Sequence, residues 1–315
     1  IASAVAVVDT FSGTPTATLG NAHTLAELKT INNAISGTIA LNDYTVELNG
    51  SSADVTAALD GSFAASYTGN VTLTDNHTLA QLKAINNSTD GTITLNDASV
   101  ALSGSSADIS AALTGISNYT GTATLTSNHS LAELVTINNA TSGNITLNSS
   151  ALALSGSTSD IKAALAGNVG ASYSGNVTLS DANSANIAAA DINTIAGDTS
   201  GTVTVTNNIN ITGNSDVIAT AVGNVDTFSG TPTATLGDAH TLAELKAINN
   251  AIDGTITLND VTVALSGSTA DVKAALAGTF AVAYSGNVTL SDANEANIAA
   301  ADINTIAGDT SGTVT

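Results

Sequence analysis

Residues 69–120 read GNVTLTDNHTLAQLKAINNSTDGTITLNDASVALSGSSADISAALTGISNYT. The stretch opens on Val71-Thr72-Leu73-Thr74, whose alternation at period two marks a strand with one buried face. A polar corner leads into Thr78-Leu79-Ala80-Gln81, the Gln form of a capping box at a helix start. Thr92-Ile93-Thr94-Leu95 and Ser99-Val100-Ala101-Leu102 flank Asn96-Asp97. Two alternating runs around a turn of that composition predict a β-hairpin, because Asn and Asp tolerate positive φ. Ser105 with Asp108 then opens a second helix, which Gly115 closes.

The remainder of the chain is a set of variants of this stretch. Residues 1–12 end a preceding repeat, since IASAVAVVDTFS lines up with IATAVGNVDTFS at 218–229. Repeats of 52 to 56 residues then occupy 13–68, 69–120, 121–174, 175–229 and 230–285, and 286–315 is a partial sixth. An aromatic, a hydroxyl residue and Gly punctuate each start, as in Tyr67-Thr68-Gly69 and Phe228-Ser229-Gly230. Capping-box patterns recur at Thr24/Glu27, Ser130/Glu133 and Thr241/Glu244, and second-helix openings at Ser51, Ser157 and Ser268. Leu25, Leu28 and Ile31 recur three apart as a narrow apolar stripe, and Asn32-Asn33 is expected to end that helix. Gly61, Gly167 and Gly278 stand where Gly115 does. The hairpin device recurs at Asn42-Asp43, Asn207-Asn208 and Asn259-Asp260. The fourth and sixth repeats are a subtype, carrying Asn-Ser-Ala-Asn or Asn-Glu-Ala-Asn where the others carry a His corner.

The expected fold is therefore an α/β repeat array of strand–helix–hairpin–helix modules. Their sheets and helices would form one continuous two-layer solenoid. The alternative is a β-solenoid with helical corners. Helices pack about 8–10 Å apart and strands pair at about 4.8 Å, so three strands against two helices balance the widths better.

Composition excludes several functions. The chain holds 26 acidic residues against five Lys+Arg, a net charge of −21, and no cysteine. Nucleic-acid binding needs basic clusters, and there are none. Redox and thiolate–zinc chemistry need cysteine. No run of 18 apolar residues marks a membrane span. The start at Ile1, in mid-repeat and without a signal peptide, reads as a processed product or a segment of something longer.

Candidate sites recur with the repeat. His23, His77, His129 and His240 share one corner, either as a ladder of metal ligands or as turn residues before a helix cap. Asp75, Asp181, Asp238 and Asp292 follow the first strand, and with neighbouring Asn side chains they could hold calcium, or they cap Asx-type turns. Thr arrays such as Thr14/Thr16/Thr18 and Thr202/Thr204/Thr206 offer a hydroxyl face, for ordered water or as an ordinary solvated sheet surface. Phe11, Tyr67, Tyr119, Tyr173, Phe228 and Tyr284 form either a sugar-binding track or an internal packing ladder. Sequons such as Asn70-Val71-Thr72 are numerous in a chain this rich in Asn, Ser and Thr. A catalytic centre is usually single, whereas every candidate here is repeated, and no nucleophile elbow or phosphate loop occurs.

The segments GNVTLSDAN, INTIAGDTSGTVT and SGSTADVKAALAG resemble the repeat regions of very large bacterial cell-surface and secreted proteins, including those of photosynthetic bacteria. The resemblance implies an extracellular adhesive, surface-layer or fibre-forming role and carries over no active site; no cofactor is expected, with calcium possible at the four aspartates. Self-association head to tail is the expected partnership, and glycans or a cell surface the alternative. The expected location is extracellular or on the cell surface.

Overall fold

The computed structural model describes residues 1–315 apart from 168, 170–172 and 295. The corner predicted around Glu295 therefore lies partly outside the described residues. The chain forms two compact units. The first is 1–149 with 166–171, and the second is 150–165 with 172–315.

In the first unit the order is α1 (Ala2–Val5), β1 (Ala17–Thr18), α2 (Leu25–Ala34), β2 (Ile39–Ala40), β3 (Leu48–Gly50), α3 (Ser52–Leu59), β4 (Val71–Leu73), α4 (Leu79–Ser88), β5 (Ile93–Thr94), β6 (Leu102–Gly104), α5 (Ser106–Leu113), β7 (Ala123–Leu125), α6 (Leu131–Ala140) and β8 (Ile145–Thr146). The second unit follows with β9 (Leu154–Gly156), α7 (Thr158–Leu165), β10 (Val177–Leu179), β11 (Asn186–Ala188), α8 (Ala189–Asp198), β12 (Val203–Val205), β13 (Asn210–Gly213), α9 (Ser215–Asn224), β14 (Thr227–Phe228), β15 (Thr233–Leu236), α10 (Leu242–Ala251), β16 (Ile256–Thr257), β17 (Leu265–Gly267), α11 (Thr269–Leu276), β18 (Val288–Leu290) and α12 (Ala300–Asp309).

Strands thus alternate with helices in an α/β fold, and among the described residues they make six small sheets. Every pairing between these strands is parallel. Val71 faces Leu48 on one side and Ile93 on the other, and partners throughout lie 21 to 26 residues apart, about half a repeat. Pairing crosses repeat boundaries within each unit: Leu48 with Val71, Leu102 with Ala123, Leu154 with Val177, Asn210 with Thr233 and Leu265 with Val288. In the first unit each helix from α1 to α6 packs on the next, and in the second unit so does each from α7 to α12.

The expected hairpins, which would have paired strands antiparallel, are corrected by this topology. β5 and β6 flank Asn96-Asp97, yet β5 pairs with β4 and β6 with β7. A two-residue hairpin of type I′ needs positive φ at both central residues. Among the described non-glycine residues only Asn118 and Ser184 have it. Asp97 instead accepts from the Ser99 N–H at 2.8 Å, an Asx turn that bends the chain round a corner. Asp43 and Asp260 do the same to Thr45 and Thr262. Asn32-Asn33 is a second correction, because α2 runs through both residues and ends at an extended Ile35.

The capping boxes hold at Thr24, Thr78, Ser130 and Thr241. Val71, Leu73, Leu82, Ile85, Ile109, Ala112 and Leu113 bury one side of each strand and helix. At about 25 cal/mol per Å², each large side chain so buried contributes about 1.5–3 kcal/mol. Two glycines mark where backbones nearly touch. A Cβ on Gly91 would lie 2.2 Å from the Gly69 carbonyl oxygen, and one on Gly69 would lie 2.1 Å from that of Val46.

Candidate functional site

The repeated side chains converge on contacts between one strand–helix turn and the next. Tyr67, Tyr119 and Tyr284 are about 1% exposed, which makes them internal packing residues. The Tyr67 hydroxyl donates to the Val46 carbonyl and Tyr119 to Val100, both at 2.5 Å; Tyr284 donates to Val263. A hydroxyl has one proton, so Nε2–H of His23, His77 and His240 must donate to these oxygens, at 3.4, 3.2 and 3.4 Å. The tautomer is thereby fixed. Nδ1 of the same three rings is buried and has no hydrogen-bond partner. Burial pushes all four histidines below their usual protonation range, against the opposing charge of Asp43 at His23, Asp97 at His77 and Glu133 at His129. Burial likewise pushes the phenols of Tyr119, Tyr173 and Tyr284 up to about 12.

The four aspartates named as calcium ligands each sit at the start of a helix about one turn of chain earlier. Asp75 Oδ1 accepts from the Ser52 N–H at 2.7 Å, and Asp238 from that of Ser215 at 2.7 Å. Asp181 accepts from Thr158 N–H at 3.0 Å and from its hydroxyl at 2.6 Å, and Asp292 takes both groups of Thr269. A carboxylate there faces the positive end of the helix and satisfies an otherwise orphaned donor. The four are not brought together, and among the described residues no group of three or more His, Asp or Glu could hold a metal ion.

Two further sets were not legible from local motifs. All five lysines are paired with an aspartate of a following helix: Lys29–Asp54, Lys83–Asp108, Lys162–Asp191, Lys246–Asp271 and Lys273–Asp302. Asn32, Asn86 and Asn249 donate to the carbonyls of Ala57, Ala111 and Ala274 at the adjacent helix. The signal in sequence is a fixed offset, 25 residues in each of these Asn contacts. Thr89, Thr141, Thr199 and Thr310 complete the pattern, each donating to the glycine carbonyl that opens its repeat.

The outward Thr residues line up as single columns, Thr178–Thr204–Thr227 and Thr212–Thr235–Thr257 among them. A groove of about 760 Å³ between α4 and α5 is lined by Leu79, Lys83, Gly104 and Asp108, whose two charges are already paired with each other. No helix among the described residues is long and apolar enough to cross a membrane. Comparison of the chain with protein-family models and with curated protein sequences finds no match.

Proposed function

We propose that this chain is an extracellular structural repeat protein whose strand–helix turns wind as a solenoid and stack head to tail into a filament or surface array. The observation that carries this reading is the parallel pairing of strands across repeat boundaries, from Leu48–Val71 to Leu265–Val288. A sheet of this kind is extended by adding turns, each of which buries its apolar side only against its neighbour. The use of the repeated polar groups supports the same role. Lysines, corner aspartates, helix-end asparagines and tyrosines all hold one turn to the next. These bonds to Asp75, Asp181, Asp238 and Asp292 favour a passive array over a calcium-stiffened adhesin that grips glycans.

Small-angle scattering and negative-stain microscopy across a concentration series test the reading. Rods that lengthen with concentration are expected. Particles of one chain at every concentration would overturn head-to-tail stacking.

A further inference from the structure

The end of α4 carries two kinds of polar side chain. Asn86 donates to the carbonyls of Ala111 and Thr114, and the Thr89 hydroxyl donates to that of Gly69, so both join one turn to another. Asn87 and Asp90 are exposed, and among the described residues neither side chain makes a hydrogen bond or an ion pair. The same two residues line two hollows, one on each side of their segment. The first, of about 310 Å³, lies toward the loop after α3 and is walled by Phe63 and Ser66. The second, of about 460 Å³, lies toward the loop after α5 and adds Ile93 and Ile116. Small-molecule sites span about 300–1,000 Å³. Phe63 is half-buried and firmly placed: its backbone bridges to Ile39, and its ring lies 6.2 Å from that of the buried Tyr67.

The repetition of the chain provides a comparison. Phe280 bridges to Ile256, with its ring 6.1 Å from that of Tyr284, so it matches Phe63. Thr310 donates to the Gly286 carbonyl as Thr89 does to that of Gly69, which aligns the facing segments. Gly308 and Ser311 then stand where Asn87 and Asp90 do. The aromatic half of the arrangement occurs at both places, and the free amide and carboxylate occur beside Phe63 alone of the two. The chemistry of the first hollow selects its ligand. An aromatic wall suits an apolar C–H face. A primary amide both donates and accepts, and a carboxylate accepts hydroxyl protons in short, charge-assisted bonds. A sugar ring offers both kinds of surface. Asp90, on a chain of net charge −21, repels an anion. We infer that Phe63, Asn87 and Asp90 form a binding site for a neutral carbohydrate, one sugar in each hollow, with the chain of sugars crossing the Asn87–Asp90 segment. The site needs no metal ion and is independent of head-to-tail stacking.

Saturation-transfer NMR and calorimetry on the full chain test the inference. The neutral probes are cellobiose, lactose, maltose and chitobiose, and digalacturonate is the anionic one. At least one neutral disaccharide is expected to bind, one per chain, and digalacturonate is not. Asn87→Ala and Asp90→Ala should each weaken binding by about 10-fold or more. Neither side chain holds another part of the protein, so both variants should melt as the parent does. Phe63→Leu keeps an apolar side chain in place and should abolish the saturation transfer, whereas Phe280→Leu should leave it unchanged. Failure of all four neutral disaccharides to bind overturns the inference. So does digalacturonate binding as tightly as they do, or undiminished binding to the Asn87→Ala and Asp90→Ala variants. Each of these results is compatible with rods that lengthen with concentration, so the stacking is judged separately.

Discussion

At the residue scale the tyrosine hydroxyls do the most specific work. Tyr119 donates to Val100 and receives from His77, both away from water. Tyr119→Phe keeps the ring but leaves a buried carbonyl and a buried Nε2–H without partners. Unsatisfied buried groups cost about 1–3 kcal/mol each, so chemical denaturation should register a loss of about 2 kcal/mol or more. Gly91 is constrained differently. A Cβ there meets the Gly69 carbonyl at 2.2 Å, whereas one on Gly197 meets nothing within 4 Å. Gly91→Ala should therefore destabilise strongly or prevent folding. Gly197→Ala, in the last turn of α8, should stabilise by up to about 0.5–1 kcal/mol, and thermal melts of the pair compare the two. The sequence showed that the tyrosines and glycines recur. Their partners stayed hidden because each lies far off in sequence, 19 residues from Tyr119 to Val100 and 42 from His77 to Tyr119, beyond the reach of a local pattern.

At the scale of elements the helix starts were legible and the strand pairings were not. A capping box closes within four residues, so Thr78 and Gln81 suffice to announce α4. Thr78→Ala should cost about 1 kcal/mol in a denaturant titration. Lys83→Ala should cost less, about 0–1 kcal/mol, because both members of its pair with Asp108 are well exposed. Strand pairing is decided by the path of the chain after each turn. Alternation finds β5 at Ile93 but places the next strand at Ser99–Leu102, where β6 begins only at Leu102, and it says nothing of which neighbour each one meets. Asn-Asp suggested reversal. The negative φ values at that corner, with an Asx bond from Asp97 to Ser99, turn the chain onward, and a parallel ladder results.

At the scale of the molecule the buried histidines make stability depend on pH. Their folded-state protonation lies below the usual value of 6.5, chiefly through burial. The unfolded chain then binds more protons as pH falls, so stability is complete above about 6.5 and declines below it. Hydrogen-bonded carboxylates such as Asp97 and Asp108, held below their usual range, extend the loss toward pH 4 and lower. Asp198 and Asp309, raised by burial, oppose it weakly. Melting temperature should fall by several degrees between pH 7 and pH 5. A profile that is flat or rises over that interval would contradict the buried neutral histidines.

The reach of the His–Tyr contact has a consequence for how such a chain can be edited. His23 meets Tyr67, 44 residues on, and His77 meets Tyr119, 42 residues on. The smallest piece that can be excised without orphaning a partner is therefore a whole period, not a single loop of strand and helix. Removing residues 69–120 joins Tyr67-Thr68 to Gly121 and restores the motif, so the shortened chain should fold with its cooperative melt intact. Cutting out 23 residues from the same region should yield a chain that does not fold. Genes for such chains would accordingly lengthen and shorten in full-period steps.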